Sequence, residues 1–416
     1  MSLTGESKPL AAGRYYYHWI IAVCCTLVTF INGGIFFTFS VFFKPVASDF
    51  GWNRGDFSLN YAVMLIAYAP GAFFAGKLAD RRGPRGILLL AALLIGLGFL
   101  GCNRVNNLGF MIISYALIGL GLGATLALPT ATIQRWFIRF RATMVGVVNA
   151  GNGIGGLVFA PLANYLIAVY GWRSAYLIVG IIFFGVIAIA ALFLVAEPRM
   201  MGLKPFGYEK RYTETADHSQ QSLTPSISLS QAFKIGTFWG MAAICVLTFM
   251  PAFFIAAHLI PYVTDKGISA AVGAQALGLM TGTSVIGRLV MSWVAGRIGW
   301  TKTLTICYII ASGCVVWLVF VDRTESLYLL MVVYGLSYGS TLALIGGAVG
   351  YFFGLSSLSE LLGFLLGIGV LFAAILPWLG GFIFDLTSSY VIAMAIAAGL
   401  FAVAGILSSL MKPPRL

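Results

Sequence analysis

A chain of 416 residues that is 60% hydrophobic and only 9% charged is not a soluble domain, which carries about 25% charged residues. Its formal charge of +12 lies in short segments between long apolar runs, so it reads as membrane topology and not as a nucleic-acid surface. The six cysteines (Cys24, Cys25, Cys102, Cys245, Cys307 and Cys314) fall in or beside apolar runs without metal-ligand spacing, which predicts free thiols and no metal or cofactor.

A helix needs about 20 apolar residues to cross a bilayer. In chain order, such runs cover residues 18–43, 57–79, 86–103, 108–134, 141–170, 174–195, 238–263, 271–296, 302–321, 326–353, 360–385 and 389–411. The first is too long for the core of a signal peptide. Between the sixth and seventh runs lies the one long polar stretch, which contains RYTETADHSQQSLTPS. The expected fold is an all-α membrane protein with twelve transmembrane helices in two parallel six-helix bundles. The expected domains are residues 1–196, a linker loop at 197–235, and residues 236–416.

Most of the 25 Lys and Arg residues fall on segments that share a side with both ends of the chain. Positive charge is retained inside, so both termini and the linker are expected to be cytoplasmic, with the chain in a bacterial plasma (inner) membrane. The halves also repeat. A shift of 216 residues lays Pro45 on Pro261, Asp49 on Asp265, Ala79, Arg81 and Gly83 on Ala295, Arg297 and Gly299, and Pro161 on Pro377. Each half holds an even number of spans, so the two share one topology, an arrangement that transporters use with the site at the midplane.

The loop after the second run reads Gly76-Lys-Leu-Ala-Asp80-Arg81-Arg82-Gly83-Pro-Arg85. It resembles the signature loop of the major facilitator superfamily. That resemblance implies a conformational lock at Asp80, Arg81 and Arg85, framed by Gly76 and Gly83, with a weaker second copy at Arg297. The stretch from Arg135 through Arg141, followed by Asn149-Ala-Gly-Asn152-Gly153, is similar to the fifth-helix signature of the monocarboxylate transporters and their bacterial relatives, which include oxalate–formate antiporters. Arg135 and Arg141 join the expected gating set on that ground.

Arg288 stands inside the apolar run from Ala271 to Gly296 with no acidic residue beside it. A lone guanidinium at a helix centre costs about 2.5–3.5 kcal/mol on insertion scales, and arginine cannot shed its proton. It matches the arginine that binds the substrate carboxylate in the resembled family. The acid that eukaryotic members carry one turn earlier is Ser284 here. The counter-charge is then expected from a substrate anion, unless backbone carbonyls satisfy the arginine. The eleventh run has no Lys or Arg, which favours a monoanion.

Candidate lining residues are Ser284, Tyr334, Tyr338, Asn32, Tyr68, Asn149 and Asn152, each equally readable as helix packing. His258, near one end of the seventh run, titrates near neutral pH in water. It is a candidate proton or substrate ligand, or an interfacial histidine. The resulting expectation is a secondary carrier of small monocarboxylates of the lactate and pyruvate type, with protons as co-substrate and the lipid bilayer as its surroundings. A non-transporting sensor is disfavoured by the short linker. No nucleophile–base–acid set argues for an enzyme.

Overall fold

The computed structural model describes residues 12–138, 140–207, 229–353 and 358–411. Eleven helices among them are long and apolar enough to cross a membrane. The longest, Arg141–Phe193, is two helices joined at Gly171, where φ is 76°, so the described residues make twelve crossings. In order, α1 is Ala12–Phe50, α2 Arg54–Arg82 and α3 Pro84–Asn103. Helix α4 is Leu108–Leu122 continued past Gly123 as Ala124–Trp136, and α5 and α6 lie either side of Gly171. Helix α7 is Gly236–Asp265, α8 Ala270–Ile298, α9 Trp300–Val319 and α10 Thr324–Phe353. Helix α11 is Leu358–Ala373 continued past Ala374 as Ile375–Thr387, and α12 is Val391–Leu410. An even number of crossings brings Ala12 and Leu410 to one face, called here the terminal face; the other is the far face.

The repeat is visible in the turns. Gly51 and Gly267 close the far-face turns after α1 and α7 at φ 65° and 82°. Gly83 and Gly299 make the α2–α3 and α8–α9 turns at φ 78° and 94°. These conformations are open to glycine and strained for other residues, so the shared offset is a structural one. Pro45 and Pro261 also sit inside the corresponding helices α1 and α7.

Large apolar side chains such as Phe73, Leu289 and Phe320 are exposed at 65%, 73% and 74%, as a surface solvated by lipid tails requires. Within each bundle the helices approach at small residues. At the α8–α10 crossing, a methyl group on Gly339 would lie 2.5 Å from the Cα of Ser284. Backbone cannot yield there as a side-chain tip would. Gly339→Val is therefore expected to cost about 1–3 kcal/mol and to lower the unfolding temperature of the detergent-purified protein. An unchanged melting curve would mean that the two helices do not meet at this glycine.

The start of the linker belongs structurally to the first bundle. The Phe206 amide donates to the Trp136 carbonyl at 2.8 Å, and the Ile138 amide to the Phe206 carbonyl at 3.0 Å. Trp136 Nε1 donates to the Val195 carbonyl at 2.9 Å. His18, Trp19, Phe137 and Phe206 pack their rings around this strap.

Candidate functional site

The two bundles meet through α1 with α7, α2 with α11, and α5 with α8. The terminal-face half of α4, Ala124–Trp136, instead packs on α1, α2, α3 and α5 of its own bundle. Among the described residues, the polar bonds between the bundles include one near mid-membrane, one from the Ile260 amide to Ser40 Oγ at 3.2 Å, and a cluster at the far face.

The mid-membrane bond is made by Arg288, which is half-buried on α8. Its Nε donates to the Gly339 carbonyl at 3.1 Å, and its Nη1 to the Asn149 carbonyl of the other bundle at 3.3 Å. No carboxylate lies within ion-pair distance of it among the described residues. A guanidinium has five N–H donors. Two are spent on carbonyls, and Nη2 has no partner among the described residues. Carbonyls neutralise no charge, so the group keeps both its full positive charge and free donors.

The other expected ligands separate into two sets. Tyr338 is half-buried on α10. Tyr334, one turn away, is buried and stacks on it with ring centroids 5.4 Å apart. Tyr68 is half-buried and 6.0 Å from Phe36, whose ring lies 5.4 Å from Phe253 of the opposite bundle. Tyr68, Phe36 and Phe253 meet where the two bundles face each other, whereas Tyr334 packs within the second bundle against Phe401.

Four polar candidates are instead committed to packing. Asn152 Nδ2 donates to Asn32 Oδ1 at 2.6 Å, and Asn32 Nδ2 to Thr125 Oγ1 at 2.8 Å. That chain ties α5, α1 and α4 within one bundle, which favours the packing reading of both asparagines over the ligand reading. Ser284 Oγ donates to the Thr281 carbonyl of its own helix at 2.6 Å and is buried against Gly339. Asn149 reaches Arg288 through its backbone carbonyl, and its side chain meets Thr130 at 3.5 Å.

His258 also moves, to the far-face cluster. It is 1% exposed, with Nε2 2.7 Å from the Pro377 carbonyl and Nδ1 3.0 Å from the Tyr390 hydroxyl. A carbonyl only accepts, so Nε2 carries the proton and Nδ1 accepts from Tyr390. Burial raises the Tyr390 phenol above its ordinary value and keeps it a donor. Ser58 of the other bundle lies 3.3 Å from Nε2.

Around this core the charges interlock. Asp265 of α7 takes Lys44 of α1 at 2.5 Å and Arg54 of α2 at 2.6 Å. Arg54 also donates to the Tyr390 hydroxyl at 2.9 Å and lies 3.7 Å above the Phe384 ring. Asp385 of α11 accepts from the backbone amides of Arg54 and Gly55 at 2.9 and 2.6 Å. It thereby caps the first turn of α2, where a carboxylate is favoured by the helix dipole. Every one of these contacts except those of His258 with Pro377 and Tyr390 crosses between the bundles.

This cluster closes the far face, and the sequence reading did not anticipate it as a unit. Its signal was present in the opposite charges at far-face helix ends, where positive-inside counting leaves few cations. The expected gating residues lie at the terminal face. Arg297 lies 3.8 Å above the Trp293 ring of its own helix, and Arg85 and Arg135 are exposed. Gly83 serves the turn, and Gly76 has open space around it. The side chains of Asp80, Arg81 and Arg141 lie outside the described residues.

A family model described as Major Facilitator Superfamily matches residues 25–353. The chain is 24% identical over 335 residues to a gallate transporter of Pseudomonas putida, covering 75% of this chain and 72% of that one. It is 24% identical over 401 residues to monocarboxylate transporter 11 of Homo sapiens, covering 92% and 80%. Its fold is similar to the inward-open xylose transporter of E. coli, with a TM-score of 0.75, 13% identity, and coverage of 95% and 96%.

Proposed function

The chain belongs to the major facilitator superfamily, and from that premise we propose that it is a proton-coupled secondary carrier of small monocarboxylates of the lactate and pyruvate type. One observation carries this reading. Arg288 reaches across both bundles, holds unspent donors, and has no carboxylate beside it among the described residues. Anchoring a single carboxylate satisfies its charge and its planar fork together. The relative named a monocarboxylate transporter supports the substrate class.

In this reading both termini lie on the cytoplasmic side and the far face looks outward. The far-face cluster is then the closed outer gate. His258 supports a role for protons at that gate. A proton on Nδ1 would meet the Tyr390 hydroxyl, which already receives a hydrogen bond from Arg54. Tyr390 would then have to turn its own proton elsewhere. Protonation of His258 therefore favours opening, and its loss favours closure.

The cost of Arg288 in the membrane also makes a kinetic statement. An anion discharges the guanidinium, so the loaded carrier crosses more cheaply than the empty one. Exchange of labelled for unlabelled acid is expected to outrun net efflux by about tenfold or more, taking about 1.4 kcal/mol of difference in the crossing barrier as a minimum. Loaded proteoliposomes measure both rates, and equal rates would remove this argument. Counterflow against defined internal acids also separates symport from the alternative, anion exchange of the formate and oxalate type.

A further inference from the structure

A cavity of about 630 Å³ lies at the far face, on the seam between the bundles. Its walls come from the far ends of α1 and α5 and the start of α2 in one bundle, and from the end of α7 and the start of α8 in the other. Arg288 is not among the residues that line it. The volume falls in the range of pockets that hold ligands well above three carbons in size.

The wall changes character with depth. Ser48 and Ala270, exposed near helix ends, mark the mouth. Two cations stand at that level. Arg54 is the first residue of α2, and the Lys44 ammonium meets Asp265, the last residue of α7. No acidic residue lines the cavity among the described ones. Asp265 serves both cations from outside the wall, and Asp385 is spent on the amides of Arg54 and Gly55. One shared carboxylate leaves the two cations able to take another anion. Below them the wall is apolar, with Val41, Phe43, Ile167 and Ile260. Asn164 of α5 interrupts it. This residue is half-buried, and its side chain makes no hydrogen bond among the described residues. It precedes Gly171, the far end of α5, by seven residues, which puts it about 10 Å down. A charged mouth over an apolar shaft selects an amphipathic anion that enters tail first, and the amide sets the length of tail that fits.

We propose that this cavity binds a monoanion with a carboxylate head and an unbranched chain of about eight carbons, the length set by the depth of Asn164, and that its occupation holds the far face closed. A ligand favours the state that it binds better. Both bundles supply the wall, so the complete site exists only while they meet at this face. The inference does not rest on the reading of Arg288 as an anchor, since the two sites share no residue.

The test measures competition with labelled octanoate on the full chain in lipid nanodiscs, with empty nanodiscs subtracted. From butyrate to octanoate, affinity should rise roughly fourfold per methylene, and dodecanoate should gain nothing further. Partition into lipid has no such limit, so a rise that continues to dodecanoate overturns the proposal, as does octanoate binding no better than butyrate. Lys44→Gln should weaken octanoate roughly tenfold, the low end for a charge-assisted bond to a partly exposed partner, and leave 1-octanol unchanged. Equal effects on the two, or none, remove the cation from the site. Asn164→Leu should extend the gain to dodecanoate, and an unmoved limit means that the chain does not lie against α5. Octanoate binding should survive Arg288→Ala, and its loss there would place the ligand at Arg288 instead. Spin labels at Asn106 and Arg323, exposed at the far face and outside the cavity, read the closure. Saturating octanoate should leave no population at long distance, and growth of such a population overturns the claim that the ligand holds the face shut.

Discussion

Arg288→Ala is expected to remove most saturable uptake of a labelled monocarboxylate, and Arg288→Lys to restore little of it. The guanidinium is the one cation placed between the bundles at mid-membrane among the described residues, and its Nη2 is uncommitted there. Truncating one partner of a buried, hydrogen-bonded charge pair costs about 2–5 kcal/mol, which is a roughly 30- to several-thousand-fold loss of uptake at low substrate. Lysine returns a point charge with three donors but no planar fork. It also cannot reproduce the two bonds to the carbonyls of Gly339 and Asn149 that aim the group. A purely structural strut makes a different prediction. It would lower the unfolding temperature in Arg288→Ala while leaving acid binding to the surviving folded protein intact. Thermal stabilisation by added acids, measured on wild type and variant, distinguishes the two. Uptake at the wild-type rate in Arg288→Ala would end the anchor reading.

How much of this was legible in the sequence depends on the range of the interaction. The spans follow from apolar runs, and the junction expected between residues 170 and 174 falls at Gly171, where the chain turns through positive φ. The repeat is equally local, since glycines at matched turns need only their own backbone. Arg288 stood out because a charge in an apolar run is costly wherever the run packs. Its carbonyl partners did not, because Gly339 offers no side chain to read and Asn149 contributes its backbone. The pairing of Asn32 with Asn152 joins helices 120 positions apart in sequence, and either residue alone looks like a pocket amide. The far-face cluster is the extreme case. Lys44, Arg54, Asp265 and Asp385 each sit at a helix end, where a charge needs no explanation. Only the packing of α1 on α7 and α2 on α11 makes them one object.

That object gives the second large effect. In Asp265→Asn, the far face is expected to open in a substantial fraction of molecules. The acid belongs to the second bundle and both its cations to the first, so every unit of their attraction favours closure. Lys44 and Asp265 are 37% and 29% exposed, and an ion pair this wet contributes at most about 1 kcal/mol. Arg54 is only 17% exposed, bonds Tyr390 and lies over Phe384. Its charge-assisted bond is worth about 1.5–3 kcal/mol before discounting for the exposed partner. Together the two pairs hold about 1–3 kcal/mol, so their loss shifts the balance of open to closed roughly 5- to 100-fold. Spin labels at Ser48 of α1 and Arg323 before α10, both exposed, report the separation of the bundles at that face. The variant should show a longer distance than wild type, and high salt should move the wild type part of the way toward it. Asp385→Asn should act in the same direction by weakening the cap on the Arg54 and Gly55 amides. If Asp265→Asn leaves the distance distribution where it was, the gate is held by the apolar contacts of α1 with α7 and α2 with α11, and the ion pairs merely decorate a closed face.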